Sequence, residues 1–222
     1  TSCLAGGGQF CTCPNLIVVE KGDVTSRFQE SLIDRFKTQP ATTLLSNKVV
    51  TSLKSSLQTL TEHGASVLVG GQQASEPAQA FENTLLTIDA ERFLTHPEQL
   101  QTEAFGPSSL LVLCDDTGQM TSIAECIEGS LAASVFGDAG NVLLRTLTTI
   151  LRRKAGRVLH NKMPTGVAVS PAMNHGGPFP ATGHPRFTAV GIPASIERFA
   201  KLDCYDNVAD EFLPGCLQDE AT

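Results

Sequence analysis

Three short stretches of the sequence set residues able to do covalent or acid–base chemistry on backbone too small or too bent to bury them. The first is Gly6-Gly7-Gly8-Gln9-Phe10-Cys11-Thr12-Cys13-Pro14. Glycines let the backbone approach a ligand closely and adopt turns closed to other residues. A thiol in such a turn is accessible, and its own backbone N–H can point at the atom it attacks. One residue could then add to a carbonyl carbon and donate to the oxyanion that results. A tight turn beside two incidental thiols is the other reading, and spacing alone leaves both open. The Cys-x-Cys spacing of Cys11 and Cys13 also raises metal binding, with Cys3 as a third ligand. Zinc wants four ligands, or three and a catalytic water. No matching second Cys or His pair follows, so no metal is expected.

The second stretch is Glu103-Ala104-Phe105-Gly106-Pro107, where Gly-Pro closes a segment just before a buried apolar run. These side chains stand at a strand entrance, whereas open α/β sheets commonly carry ligands at the carboxyl ends of their strands. From the residues alone, one solvated carboxylate and one packed ring describe them adequately. The third stretch is His175-Gly176-Gly177-Pro178-Phe179-Pro180. Its imidazole is flanked by backbone too small to cover it, and a loop histidine is ordinarily solvated or bonded to backbone. No phosphate-binding loop is present, because Gly6-Gly7-Gly8 lacks a preceding strand and a following Lys.

The elements that must carry these stretches alternate in kind. A strand is predicted over 16–20, then a helix over 24–36 with Val24, Phe28, Leu32 and Phe36 at helical spacing. A second helix, 48–63, has Ser46 as its N-cap, a stripe of Val50, Leu53, Leu57 and Leu60, and Gly64 as its stop. Strands follow at 66–71, 84–88 and 109–114, and a short helix over 121–128 carries Ile123 and Ile127. A strand over 131–136 leads to a helix over 141–154, ended by Gly156, and 157–161 is again extended. This βα alternation predicts an α/β fold, a mostly parallel sheet covered by helices on both faces. Residues 162–188 break the pattern with five prolines and four glycines, a long loop of the kind that is usually functional or disordered. A short helix over 194–201 precedes a polar tail.

Composition narrows the function classes. The chain has 222 residues, 16 Lys plus Arg against 23 Asp plus Glu, a net charge of −7, and 41% apolar residues. That length buries a core without disulfides or metal, and a charged fraction of 18% argues against disorder. An acidic balance without a basic block makes nucleic acid and anionic membrane unlikely partners. The longest uninterrupted apolar run, Leu110 to Cys114, is far too short to span a bilayer. Seven cysteines make an odd count with no repeating pair spacing, which favours a reducing, cytoplasmic setting over a disulfide framework. The chain opens Thr1-Ser2-Cys3 without an initiating Met or a signal pattern, so a longer parent chain is expected.

Together the three stretches resemble the C-terminal, catalytic half of the aldehyde dehydrogenase superfamily. GGGQFCT at 6–12 resembles its nucleophile motif, TEAFGP at 102–107 its E-x-F-G-P segment, and 156–191 its closing catalytic loops. The wording is nearest the subgroup acting on 2,5-dioxopentanoate (α-ketoglutaric semialdehyde) and bacterial NADP-linked relatives. The resemblance implies Cys11 as the nucleophile that carries a thioester. Glu103 would hold the nicotinamide ribose hydroxyls of NADP or NAD, and Phe105 would pack beside that ribose. His175, with Phe179, would line the substrate mouth, and Cys13 matches no family residue. It implies a small-molecule aldehyde as substrate and a homodimer as the parent assembly. The division implied is a catalytic domain over 1–202 and an oligomerisation tail over 203–222, resembling a C-terminal strand region.

In the family the general base, the side-chain oxyanion donor and the dinucleotide-binding domain precede the nucleophile. With Cys11 so near Thr1, the N-terminal dinucleotide-binding domain is expected to be absent from this chain, and the isolated chain to be inactive. Two other readings stand beside this one. The first is a non-enzymatic binding or assembly module that keeps the fold. The second is an acylating member that passes its thioester to coenzyme A.

Overall fold

Alternation of apolar side chains along a few strands builds the core of this protein, whose computed structural model describes residues 1–166, 170–191 and 194–219. After a 3-10 stretch at Ser2–Gly8 come strand β1 (Leu16–Glu20), helix α1 (Asp23–Thr38), β2 (Thr42–Thr43) and α2 (Asn47–Glu62). Then follow β3 (Ser66–Val69), β4 (Ala80–Phe81), β5 (Thr84–Asp89), α3 (Ala90–Thr95), α4 (Pro97–Leu100) and β6 (Ser108–Cys114). The last are α5 (Thr117–Cys126), β7 (Ser130–Val135), α6 (Val142–Leu151) and β8 (Ala155–His160).

The main sheet has the order β1-β6-β5-β3. β6 runs parallel to both β1 and β5, and β3 closes one side as an antiparallel edge. β7 and β8 form a separate parallel pair, and β2 and β4 a short antiparallel one. Successive side chains on a strand point to opposite faces, and the core divides accordingly. Leu86, Ile88, Leu110, Val112 and Cys114 share one cluster with Leu53 and Leu57 of α2, Phe93 of α3 and Ile123 of α5. On the other face, Leu85 and Ile17 meet Phe36, Leu32 and Ile33 of α1, with Cys3. Helices therefore cover both faces, and the α/β class follows. α6 covers β7 and β8 through Leu147, Ile150 and Leu151 against Val135, Ala133 and Val158.

Helix starts follow capping chemistry, in which a side-chain oxygen takes an N–H that the helix itself cannot satisfy. Ser46 accepts from Val49 N at 3.3 Å, as predicted for α2, and Gly64 beyond its end has φ +104°. Asp116 accepts from Gln119 N at 2.8 Å, so α5 begins at Thr117, four residues before the predicted start.

Four expectations change. The α1 stripe is buried only in its second half: Val24 is 71% and Phe28 40% exposed, because among the described residues no element packs over the first half of the helix. α6 ends at Leu151, and Gly156 lies inside β8 rather than stopping a helix. The predicted helix over 194–201 is a 3-10 turn, Ala194–Arg198. The tail holds no strand among its described residues, only 3-10 turns at Asp210–Phe212 and Gly215–Leu217. Among the described residues, no helix is long and apolar enough to cross a membrane.

Candidate active site

The nucleophile turn and the Glu103 segment each enter the amino end of a strand, β1 and β6, and these strands are parallel neighbours. Their backbones touch. Gly8 has φ +67°, and a Cβ there would lie 1.8 Å from the Gly106 carbonyl oxygen. A methyl group cannot fit, so only glycine lets the two segments meet.

Gln9 fixes the turn from the other side. Its Oε1 accepts from Leu45 N at 2.8 Å, and its Nε2 donates to Gly6 O at 3.3 Å and Thr43 O at 3.4 Å. The chain then turns from Phe10 to Cys13, with Cys13 N donating to Phe10 O at 3.1 Å. Thr165 Oγ1 donates to Thr12 O at 3.0 Å and accepts from Ser2 Oγ at 2.7 Å, tying the loop after β8 to the turn. Cys11, at the tip, is exposed.

The Glu103 segment is held by its backbone. Ser56 Oγ of α2 donates to Glu103 O at 3.0 Å, Ser108 Oγ to Ala104 O at 2.7 Å, and Thr84 N to Pro107 O at 2.7 Å. Ala104 is buried, Phe105 half-buried and Glu103 exposed, so the carboxylate stands outward beside the ring. Among the described residues, no hydrogen bond or ion pair engages that carboxylate, so it can accept from a polyhydroxy ligand.

His175 arrives from far along the chain. Its Nε2 lies 3.3 Å from Cys11 Sγ, across 164 residues of sequence. Its backbone N donates to Thr188 O at 2.9 Å, and Thr188 Oγ1 bonds Asn174 Oδ1 at 2.5 Å. The glycines after it make the approach possible. A Cβ on Gly177 would lie 2.2 Å from Ser130 O, and one on Gly156 would lie 1.5 Å from Gly176 O. The loop thus lies directly against the starts of β7 and β8, which explains a glycine inside β8. Phe179 is 81% exposed.

The site residues named from the sequence therefore fall into two groups. Cys11, His175 and the Glu103-Phe105 segment are carried by loops that touch, whereas Phe179 stands out in solvent. Ser2, Gln9, Ser56 and Thr165 hold the loops, and sequence periodicity gives no signal for them, since each acts through hydrogen bonds to groups distant in sequence. Cys13 is half-buried, and its Sγ donates to Ala5 O at 3.5 Å. Burial above all holds its thiol higher than usual, as burial also does for Cys3. Chemically, an imidazole nitrogen within reach of a thiol can accept its proton, and the thiolate is the form that attacks. Among the described residues, no group of three or more His, Cys, Asp or Glu is arranged to hold a metal.

Comparison with known proteins bears on this arrangement. The profile of the aldehyde dehydrogenase family matches residues 1–187. Alpha-ketoglutaric semialdehyde dehydrogenase 2 of Azospirillum brasilense is 39% identical over 216 residues, 96% of this chain and 41% of its own length. The alpha-ketoglutaric semialdehyde dehydrogenase of Acinetobacter baylyi is 38% identical over 96% of this chain and 41% of its own. Among solved structures, a variant aldehyde dehydrogenase from Bacillus cereus superposes with TM-score 0.64 at 20% identity, over 79% of this chain and 36% of that one. A likeness at that identity concerns the fold. The chain spans about two-fifths of the length of the curated relatives it matches.

Proposed function

The chain belongs to the aldehyde dehydrogenase family, and on that premise we propose that it is the nucleophile-bearing part of an NAD(P)-dependent enzyme. The parent would oxidise an aldehyde to its carboxylate, and 2,5-dioxopentanoate is the substrate its relatives' names favour. The observation that carries this reading is the 3.3 Å approach of His175 Nε2 to Cys11 Sγ, on loops joined to the Glu103 segment.

In this reading Cys11 Sγ adds to the aldehyde carbon while its proton passes to His175 Nε2. Backbone N–H groups of the turn stabilise the oxyanion of the thiohemiacetal. Glu103 would accept hydrogen bonds from the ribose hydroxyls of NADP or NAD, and Phe105 would pack beside that sugar. The chemistry supplied by a bound nicotinamide is hydride acceptance. The acyl group left on Cys11 is then a thioester, released by water.

His175 Nε2 is the side-chain partner of Cys11 among the described residues. The general base for deacylation and the dinucleotide-binding domain belong, on this proposal, to the rest of a longer parent chain. The 222-residue chain alone is then expected to accept an acyl group from an activated ester but to oxidise no aldehyde and give no steady NADH or NADPH. The division proposed is a catalytic unit over 1–202 and an oligomerisation tail from 203 onward, within a cytoplasmic homodimer. Exposed apolar residues of the tail, Phe212 at 73% and Leu217 at 55%, support that role.

An activated ester tests the nucleophile directly. Incubated with p-nitrophenyl acetate, the chain should release nitrophenol in a burst and carry one acetyl group on Cys11 by peptide mass. Cys11→Ser should remove the burst and the label. A label found on Cys204 or Cys216 with Cys11 unmodified contradicts the assignment.

A further inference from the structure

The peptide unit that closes the nucleophile turn is gripped at both ends. Its N–H, on Cys13, donates to Phe10 O at 3.1 Å, and its carbonyl, on Thr12, accepts from Thr165 Oγ1 at 3.0 Å. A peptide unit is planar, so hydrogen bonds on its two opposite edges leave it little freedom to rotate. Cys11 and Thr12 are the central residues of this turn. Among the described residues, neither of their backbone N–H groups donates to a protein acceptor. These are the amides open to an oxyanion that forms on a carbonyl attacked by Cys11 Sγ. Only the φ and ψ of Cys11 and Thr12 lie between them and the gripped peptide, so its orientation constrains theirs.

Thr165 is itself a held residue. It follows the buried Pro164 in the loop after β8 and is half-buried. A hydroxyl has one proton to donate. By accepting from Ser2 Oγ at 2.7 Å, the Thr165 hydroxyl keeps that proton for Thr12 O. Hydrogen bonds in series away from bulk water polarise one another, so the relay from Ser2 strengthens the grip. Two side chains of the long loop therefore reach the turn, and they act on different atoms. His175 Nε2 meets the Cys11 sulfur at 3.3 Å, whereas Thr165 meets only the carbonyl of the next residue.

We infer that Thr165 is a positioning residue for acylation: through Thr12 O it sets the direction in which the Cys11 and Thr12 N–H groups meet the oxyanion. It touches no reacting atom. With an activated ester, the Cys11 thiolate forms a C–S bond to the carbonyl carbon, and the π electrons of the C=O bond move to oxygen. When that oxyanion collapses, the C–O bond to the leaving group breaks and the phenolate departs with its electron pair. Thr165 acts on the oxyanion alone, whereas the proton of the thiol is the concern of His175. The inference rests on Cys11 being the acylated nucleophile of the function proposed above.

Two reagents separate these roles in the purified chain. p-Nitrophenyl acetate acylates Cys11 through an oxyanion, whereas iodoacetamide alkylates the same sulfur by displacing iodide, without one. Thr165→Val keeps the shape of the side chain and removes the hydroxyl. Its nitrophenol burst should slow about tenfold, short of the hundredfold or more that losing an oxyanion donor outright costs. Its alkylation rate, and the pH profile of that rate, should match the wild type, because thiolate formation governs alkylation. Thr165→Ser, which returns the donor, should restore the burst. Circular dichroism establishes that the variants are folded, and Thr165→Ala should give the same split where valine is not tolerated. Equal slowing of both reactions would mean that Thr165 merely holds the loop, and overturns the inference. A normal wild-type burst that is unchanged in Thr165→Val overturns it alone. A wild type without a burst overturns the nucleophile assignment and this inference together.

Discussion

Seven cysteines share one chain, and their surroundings separate them. Cys11, Cys204 and Cys216 are exposed, whereas Cys3 and Cys114 are buried. Burial, helped by the charges of Asp115, Asp116 and Glu20, pushes the Cys114 thiol up to about 11. A disulfide reagent added to the native chain at neutral pH should therefore titrate the three exposed thiols quickly, and Cys114 only after denaturant. Fast release of Cys114 from native protein would show that β6 is not packed as described. His175 has a separate expectation. With its imidazole replaced in His175→Ala, alkylation of Cys11 by iodoacetamide should slow by up to roughly a hundredfold, the lower end of what a positioned base contributes. His175→Gln, which keeps a hydrogen-bonding side chain but takes up no proton, should not restore the rate. An unchanged rate in both variants would remove His175 from the mechanism.

At the scale of elements, α2 shows what is legible in a sequence. Ser46, the stripe from Val50 to Leu60 and Gly64 mark its start, buried face and end, and each does that work in the structure. Ser46→Ala should lower stability by about 1 kcal/mol, the usual value of such a cap, measurable as a smaller urea midpoint at unchanged slope. α3 and α4 are not legible, because each is too short for a periodic stripe and Pro97, the first residue of α4, reads as a break. Gly156 reads as a helix stop because local sequence cannot reveal that the Gly176 carbonyl occupies the space a side chain would need. The same limit applies to the site. The nucleophile turn is local and carries its own signal, whereas the pairing of Cys11 with His175 exists only once β8 and the long loop have folded back. Gly177→Ala tests that route. The added methyl would meet Ser130 O, so Cys11 in this variant should react as in His175→Ala even though His175 is intact.

For the molecule as a whole, stability should rest on the face of the main sheet covered by α2, α3 and α5. Leu53 is fully buried there, and Leu53→Ala should cost roughly 2–5 kcal/mol, read from chemical denaturation. Val24→Ala, on the uncovered turn of α1, should cost far less, within about 0.5 kcal/mol. Comparable losses at both positions would mean that α1 is covered along its whole length. The seams at Gly8, Gly156 and Gly177 govern tolerance in another way. Each residue contributes only the lack of a side chain, and each glycine codon is one base change from an alanine codon. A saturation survey of variants scored for Cys11 labelling should therefore place some of its most constrained positions on residues with no reactive atom. A map of the site drawn from chemical groups alone would leave out the places where inheritance has the least freedom.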